Sequence, residues 1–287
     1  MATTFIMTLR RGARLQALRA AIAPIAMLLA ACHSGTGPPS TNDHFETPDI
    51  LDNASFETDW SGFTNWSMSG TPTGVNRATD YAFSGTYSAR RQWTPNPSGD
   101  LGSQFASSLG SVDRVWVRFY FRLTAPLTTI MKFTRFYNGT FSNPLGGFFI
   151  QSGNAIIGAG WDAEDGSIVT SIGLSQAQVI DGKWHSLEID YWRNGDPSGY
   201  PSMAFWFDGN PQSLPDGTKV QYDCSTSGGG TCNHSYWSGG RLNAGERASS
   251  GKINVMEWVA TLNAGNTTTG QVNLDRVSIS SVGRIGP

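Results

Sequence analysis

Basic and aromatic residues alternate along residues 115–123, a combination that could bind an anionic sugar. In an extended strand, alternate side chains point to opposite faces. One face of this run is wholly apolar and belongs in a core, whereas the other face is aromatic and cationic, with Trp116, Arg118, Tyr120 and Arg122. Guanidinium groups pair with carboxylates through two hydrogen bonds, and sugar rings pack on aromatic faces. Alternatively, these arginines pair with acids on neighbouring strands.

The basic pattern continues on both sides of this run. Arg90 lies upstream, and the next strand offers Lys132 or Arg135 together with Tyr137. Between Arg90 and Arg135 there are seven basic and two acidic residues, although the chain as a whole is net acidic. A basic, aromatic patch on an acidic protein favours an anionic polysaccharide as ligand. We expect Arg90 to belong to this ligand-binding surface.

Carboxylates could supply acid–base chemistry at two places. In residues 185–192, Glu188 and Asp190 share one face with Trp192, and the two acids lie about 7 Å apart along a strand. This spacing could serve glycoside hydrolysis, or the acids could simply meet the basic strand. Glu257 faces the same way as Val255, so Glu257 is partly buried if Val255 lies in the core. A buried carboxylate needs a partner. If burial raises its pKa, Glu257 is a catalytic candidate.

The elements that position these residues are predicted to be strands. The sequence contains 34 Gly, 15 Phe, 10 Trp and 8 Tyr and only 15% charged residues, without long helical spacing of apolar residues. Short alternating runs between turn residues indicate an all-β, antiparallel two-sheet jelly-roll sandwich. The clearest runs are residues 115–123, 130–137, 147–151, 185–192, 203–207, 252–261 and 272–280. Asp208-Gly209 and Asp216-Gly217 are typical of turns.

Several segments resemble the concanavalin A-like lectin/glucanase sandwiches. The passage 181–189 (DGKWHSLEI) followed by 203–209 (MAFWFDG) resembles laminin-G-like domains, while residues 83–90 and 274–279 resemble polysaccharide-lyase-type members. The resemblance covers most of residues 53–287, and we assign residues 49–287 to one such domain. It implies a fold rather than an activity, because this superfamily includes lectins, hydrolases and lyases. The run 188–194 matches the acidic motif of family 16 glycoside hydrolases only in its first two acids, which argues against that activity.

The resemblance implies a catalytic set for β-elimination. Lyases of this fold use Tyr, His or Lys for proton transfer and cations to stabilise the enolate beside the carboxylate. The residues of these types are Lys132, Arg135, Tyr137 and His185. A lone histidine at a strand start is, however, more often structural. The function expected is binding or cleavage of a uronate-type polysaccharide, with a non-catalytic glycan-binding protein or a structural envelope lipoprotein as the alternatives.

A structural calcium ion is implied by a second resemblance. Residues 53–57 (NASFE), followed by Trp60 and Trp66, resemble the opening of jelly-roll carbohydrate-binding modules. In those folds an acid of the first strand and an Asp of the last strand often share Ca²⁺. Glu57 and Asp275 occupy the matching places, although calcium prefers more oxygen ligands than two. We expect no other cofactor.

The N-terminus resembles the leader of bacterial lipoproteins. Residues 1–31 combine four arginines, no acid and a short apolar run that ends in Leu29-Ala30-Ala31 before Cys32. This resemblance implies a signal peptide, lipidation of Cys32 and a location in the cell envelope, with residues 32–48 as a flexible tether. A plain secretory cleavage site is the alternative. The leader holds four of the 20 basic residues and none of the 22 acidic ones, so the remaining chain has net charge −6. Nucleic acid is therefore an unexpected partner, and we expect a monomer.

The other two cysteines bracket a glycine-rich loop. Cys224 and Cys232 flank the sequence STSGGGT, which would be loosely held without a cross-link. Outside the cytoplasm a disulfide between them is favoured. A zinc site is less favoured, since only His234 lies near and a fourth ligand is not evident.

Overall fold

The computed structural model describes most of the chain beyond residue 44. The described residues are 45–65, 67–96, 103–139, 144–151, 154–159, 170–195, 201–220, 235–243 and 252–287. The predicted leader, the predicted lipidation site Cys32 and the disulfide predicted between Cys224 and Cys232 lie outside the described residues.

The described chain is built almost wholly from strands. The early strands are β1 (Leu51–Ala54), β2 (Asn76–Ala78), β3 (Ser88–Trp93), β4 (Ala106–Val112), β5 (Arg114–Leu123), β6 (Met131–Tyr137), β7 (Pro144–Gln151), β8 (Asn154–Ala159) and β9 (Thr170–Ser175). A single-turn helix α1 (Gln176–Val179) follows. The later strands are β10 (His185–Trp192), β11 (Ser202–Phe207), β12 (Asn210–Gln212), β13 (Lys219–Val220), β14 (Ser235–Ser238), β15 (Arg241–Asn243), β16 (Ile253–Leu262) and β17 (Gly270–Ser280).

These strands form two antiparallel sheets. Among the described residues, sheet A has 11 strands, nine of them in the order β13-β14-β15-β11-β10-β5-β17-β3-β2, with β1 against β17 and β12 against β11. Sheet B has six strands in the order β4-β16-β6-β7-β8-β9. The chain changes sheet several times, among them from β5 to β6, from β9 to β10, and from β16 to β17. The predicted all-β, antiparallel two-sheet jelly-roll fold is confirmed, as are the seven strands read from alternation.

The two sheets face each other across an aromatic core. The Phe119 ring of β5 stacks on Phe133 of β6 with centroids 5.6 Å apart, and it meets the Trp258 ring of β16 edge-on at 5.3 Å. All three side chains are buried. Burial of such large apolar surfaces is the main favourable term in folding. Because alternate residues point away from this core, each sheet also has an outer face, and the two outer faces lie on opposite sides of the sandwich.

The hairpin between β11 and β12 shows how turn residues set strand register. Asp208 and Gly209 both have positive φ, at 48° and 76°, as a two-residue turn of the I′ type requires. The turn aligns Phe207 with Asn210. The sequence prediction of a turn at Asp208-Gly209 is therefore confirmed.

The first described residues pack beside the end of the chain. The Glu46 amide donates a hydrogen bond of 2.8 Å to the Arg284 carbonyl, and Leu51 of β1 pairs with Ile279 of β17. Residues 45–48, which the sequence placed in the tether, thus contact the sandwich. No helix among the described residues is long and apolar enough to cross a bilayer.

Candidate functional site

A buried carboxylate with two charged or polar donors lies on the outer face of sheet B. Glu257 Oε2 accepts hydrogen bonds from Arg135 Nε at 2.8 Å and from the Tyr137 hydroxyl at 2.6 Å. A second guanidinium nitrogen of Arg135 lies 2.6 Å from the same oxygen. Glu257 is fully buried and Tyr137 nearly so, whereas the Arg135 side chain is 13% exposed. We call Glu257, Arg135, Tyr137 and the neighbouring Lys132 the acid–base cluster.

Strand register brings this cluster together. Glu257 of β16 lies directly opposite Arg135 of β6, and Val255 lies opposite Tyr137. The intervening Met256 and Phe136 point into the core. Cross-strand neighbours on one face lie close enough for their side chains to bond. The pairing of two adjacent strands therefore assembles residues that are about 120 positions apart in sequence.

Lys132 joins this face through an irregularity in β6. The pairing of β6 with β7 shifts register between Lys132 and Thr134, which indicates an extra residue in one strand. Phe133 remains in the core, and the positive charge of Lys132 acts on Glu257. Lys132 is partly exposed. Two partly exposed cations, Lys132 and Arg135, therefore flank one buried carboxylate.

The environment changes the proton affinity of two groups in the cluster. Burial raises the pKa of Glu257, and the Arg135 charge and the hydrogen bond from Tyr137 offset this only in part. Burial and the adjacent Glu257 carboxylate raise the pKa of Tyr137 well above its usual value of 10. Tyr137 therefore keeps its proton at neutral pH, while Glu257 is a stronger base than an ordinary glutamate. Glu257 Oε1 is buried and accepts no hydrogen bond from any described residue.

A methionine covers part of this face. Met68 packs against a small apolar cluster of Ala106, Tyr137 and Val255, which is separate from the main core. Backbone bridges attach the segment that carries Met68 to the start of β4, from Thr64 to Ala106, and to the residues just before it, from Thr73 to Gln104. The methionine side chain therefore shields the Tyr137 ring from solvent. Nothing in the sequence pattern indicated this contact.

The structure separates the two halves of the basic surface expected from sequence. The outward residues of β5 lie on the outer face of sheet A, whereas those of β6 lie on the outer face of sheet B. Lys132, Arg135 and Tyr137 come together with Glu257, but Arg118, Tyr120 and Arg122 lie on the other side of the sandwich. The cause is the crossover between β5 and β6, which carries consecutive strands into different sheets.

The outward arginines of sheet A bond to other parts of the protein. Arg118 donates to the Gly286 carbonyl at 3.0 Å and to Asn53 Oδ1 at 2.9 Å. Arg122 donates from Nε to the Gly182 carbonyl at 2.6 Å, and Arg90 pairs with Asp80 at 3.2 Å. These contacts hold the three guanidinium groups in place on this face.

Tryptophans of the same face have internal contacts as well. The Arg114 guanidinium lies over the rings of both Trp116 and Trp192, at 4.1 Å and 4.5 Å from their centroids. Tyr120 stacks against Phe83 with centroids 3.9 Å apart. Trp116 is only 8% exposed. Trp116 and Trp192 thus pack around one arginine, Arg114, which the sequence pattern did not indicate.

The two acids of β10 are structural ion-pair partners. Asp190 accepts two hydrogen bonds from Arg114, at 2.9 and 2.7 Å, and also pairs with Arg241. Glu188 pairs with Arg284 and accepts the backbone amides of residues 285 and 286 at 2.9 and 3.2 Å. The structure therefore favours the alternative in which these acids form ion pairs with basic residues. Glu188 also binds residues 284–286 against sheet A.

His185 lies in sheet A and is held by two acids. Its Nδ1 is 2.8 Å from Asp208 and its Nε2 is 3.0 Å from Asp181. Burial opposes ionisation of Asp181, but hydrogen bonds from Lys183 and His185 outweigh it and lower the pKa of Asp181 to about 2. The His185 ring stacks on Phe207 and is 7% exposed. The structure does not bring His185 to the acid–base cluster, and its contacts are those of a structural histidine.

Glu57 and Asp275 bind the backbone amides of one turn, residues 83–87, and do not form a metal-binding cavity. The Glu57 carboxylate accepts the amides of Thr86 and Tyr87, and Asp275 Oδ2 accepts those of Phe83 and Ser84. These N–H groups occupy lone pairs that a calcium ion would need. No three or more His, Cys, Asp or Glu side chains are grouped as for a metal within the described part of the chain. The residues present therefore do not fit the calcium site that the sequence suggested.

The turn contact of Asp275 has a consequence for stability. Burial raises the pKa of Asp275 to about 6, in spite of hydrogen bonds from the amides of Ser84, Arg276 and Phe83. An unfolded aspartate titrates near 3.8. Protonated Asp275 therefore stabilises the folded state. This contribution to the free energy of unfolding is fully present below pH 3.8 and is lost as the pH rises through about 6.

Asp275→Asn should remove this pH dependence while keeping one oxygen that accepts the amides of Phe83 and Ser84. Between pH 3.8 and about pH 6, the free energy of unfolding of the wild type should fall by up to about 3 kcal/mol relative to that of the variant. Urea unfolding of both proteins on either side of the window measures this difference. A constant difference between the two proteins would contradict the assignment.

Comparisons with known proteins agree with the architecture. No protein-family model matches the sequence, and no curated protein sequence matches it significantly. The endo-β-1,4-glucuronan lyase of the fungus Trichoderma reesei superposes with a TM-score of 0.52 at 14% identity, covering 82% of this chain and 96% of the lyase. The PL-14 alginate lyase of Aplysia kurodai gives 0.51 at 11% identity, covering 82% and 100%. At this identity the likeness concerns the fold, and the chain has the concanavalin A-like jelly-roll fold of these polysaccharide lyases.

Proposed function

We propose that this protein binds a uronate-containing polysaccharide on the outer face of sheet B and cleaves it by β-elimination. The observation that carries the proposal is the acid–base cluster, in which Tyr137 and Arg135 donate to the buried Glu257 beside Lys132. The fold shared with glucuronan and alginate lyases supports this substrate class. The chain beyond the predicted leader is net acidic, so two cations on one face provide a local positive charge that an anionic ligand could bind.

β-Elimination makes three demands on a site. A base must remove the proton at C5 of the uronate, an acid must protonate the leaving oxygen at C4, and cations must neutralise the carboxylate at C6. The C5–H and C4–O bonds break, and a C4=C5 double bond forms. Neutralising the carboxylate stabilises the enolate-like charge that develops beside it.

The cluster contains a group for each demand. Lys132 and Arg135 are the cations for the uronate carboxylate, since both side chains reach the surface. Tyr137 retains its proton and is the general acid for the leaving oxygen. Glu257, whose pKa burial raises, is the general base for C5. Glu257 is fully buried and Met68 packs against the Tyr137 ring, so in this scheme Met68 must shift for the sugar to reach both groups.

The short contact between Glu257 and Tyr137 also resets the site. After elimination Glu257 carries the C5 proton, and Tyr137 is left as the phenolate. The two oxygens lie 2.6 Å apart in the resting protein, so the proton passes directly from Glu257 to Tyr137. Both groups then regain their starting states, and no proton from solvent is required.

A non-catalytic glycan-binding function is the second candidate. The observation that favours it is the orientation of Tyr137, which is 1% exposed and donates to Glu257 instead of facing solvent. In this case Arg135 and Lys132 would hold uronate carboxylates without cleavage. Binding that depends on salt concentration, without any product, would distinguish this function from a lyase.

A polymer panel tests the proposed activity. The mature protein is incubated with glucuronan, alginate and pectic polymers and with a neutral glucan, while ultraviolet absorbance reports unsaturated uronate. A lyase should increase absorbance with at least one uronate polymer and not with the neutral glucan. Retention in an affinity gel without absorbance change would support the binding function, and the absence of both signals would overturn both.

We also propose that the domain is tethered to a membrane through Cys32, as the leader sequence suggests. Cells expressing the full chain should incorporate labelled palmitate into the protein, and Cys32→Ser should abolish this labelling. Release of the wild-type protein into the soluble fraction without label would contradict the anchor. This proposal is independent of the catalytic one.

A further inference from the structure

An exposed aromatic surface lies on sheet A, on the opposite side of the sandwich from the acid–base cluster. Phe83 is 42% exposed and Tyr81 39%. The Phe83 ring stacks on Tyr120 with an interplanar angle of 16°, and the edge of Trp184 meets it at a centroid distance of 5.9 Å. We call Tyr81, Phe83, Tyr120 and Trp184 the aromatic platform.

Buried polar groups fix the loop that carries the two most exposed rings. Asp275 accepts the Phe83 amide at 2.9 Å, and Asn273 donates to the Tyr81 carbonyl at 3.3 Å. The Ser88 hydroxyl donates to the same carbonyl at 2.5 Å. These three partners are fully buried. The loop is therefore ordered in advance, so a ligand would not need to restrict it on binding.

A cation lies against the same surface. The Arg122 guanidinium is 3.4 Å from the centre of the Tyr81 ring, and its Nε bonds to the Gly182 carbonyl. These two contacts fix both the cation and the ring. Arg122 is partly exposed. The platform thus combines apolar ring faces with positive charge, which suits a polymer that has flat C–H faces and carboxylates.

We propose that the aromatic platform is a second glycan-binding surface, where pyranose rings of an acidic polysaccharide stack on Phe83 and Tyr81. The choice of an acidic polymer rests on the proposed function, whereas the stacking surface does not. Exposed apolar patches of this kind mark interaction sites. Here the rings are fixed, flat and close to a guanidinium, which favours a sugar over an irregular protein surface.

The position of the platform determines what kind of glycan gains from it. Tyr120 points outward between Phe119 and Phe121, whose rings contact Phe133 of sheet B across the core. The platform and the acid–base cluster therefore face opposite directions. A short oligosaccharide cannot occupy both surfaces, but a long chain or a second chain can, so the platform should increase retention on polymers by multivalency.

The double variant Tyr81→Ala/Phe83→Ala tests this proposal. Both side chains are exposed, so the substitutions should leave the fold intact, as thermal unfolding can verify. Val282→Ala, at a residue that is 59% exposed elsewhere, is the matched control. In an affinity gel with uronate polymer, the double variant should lose about tenfold in affinity, from two stacking contacts, whereas the control should not. Cleavage of short oligosaccharides should be unchanged.

The outcomes separate this proposal from the catalytic one. Equal retention of the double variant and the wild type would overturn the platform, even if the wild type cleaves the polymer. Loss of retention in the double variant would support it, even if no polymer is cleaved. A change in size-exclusion elution without a change in glycan retention would show a self-association surface and would also overturn the proposal.

Discussion

Tyr137→Phe is expected to reduce the turnover of a uronate polymer by about 10²–10⁴-fold, the usual contribution of a general acid. The variant lacks only the hydroxyl that donates to Glu257 at 2.6 Å. Arg135 still pairs with Glu257, so the carboxylate keeps a partner and the fold should survive. Polymer affinity should change little, since Lys132 and Arg135 remain. Initial rates from ultraviolet absorbance and retention in an affinity gel measure the two effects separately.

Tyr87→Phe is the matched control for this experiment. It removes a tyrosine hydroxyl from a ring that lies under Arg77, with 4.4 Å between the guanidinium carbon and the ring centroid. Tyr87 takes no part in the acid–base cluster, so this variant should keep wild-type turnover. If Tyr137→Phe also turned over within twofold of the wild type, Tyr137 would not be the proton donor.

Glu257→Gln is expected to reduce turnover by a similar factor, because the amide cannot accept the C5 proton. The pH profile provides a second measurement. Burial raises the pKa of Glu257, so activity should increase with pH through a value above that of an ordinary glutamate as the base ionises. Glu46→Gln is the matched control. Glu46 lies beside Arg284 and outside the acid–base cluster, so this variant should leave both the rate and the pH profile unchanged.

Glu257 should also be important for stability. Replacement by alanine leaves Arg135, whose side chain is 13% exposed, without its carboxylate partner, and removes the acceptor of Tyr137. Breaking a buried charge pair in this way costs about 3 kcal/mol. Urea unfolding should therefore show a large loss for Glu257→Ala and a smaller one for Glu257→Gln. A catalytically active Glu257→Gln variant would contradict the assigned base.

Alternation along the strands was enough to predict the fold class and most side-chain faces. The run 115–123 shows this: the five apolar residues at alternate positions are all buried, and β5 begins only one residue earlier. Burial of Glu257 and its need for partners were expected as well, and Arg135 and Tyr137 supply them. Local periodicity is informative in these cases because every second residue of a sandwich strand faces the core.

Long-range pairing was not visible in the sequence. Arg118 and Arg135 are close in sequence and looked like one basic surface, but the crossover between β5 and β6 places them on opposite faces of the sandwich. Likewise, Glu188 meets Arg284, 96 positions later, and Asp190 meets Arg114 and Arg241. Periodicity identifies the face of a strand, whereas the partner of a charged side chain depends on the order of strands in the sheet.

The proton NMR spectrum of the products tests the central claim most directly. The wild-type protein is incubated with the uronate polymer that gives the highest affinity, and the products are compared with those of Tyr137→Phe. We expect the vinyl H4 signal of a 4,5-unsaturated uronate from the wild type and an intact polymer from the variant. Saturated new ends would indicate hydrolysis, and an intact polymer in both samples would indicate binding alone; either result would contradict β-elimination at the acid–base cluster.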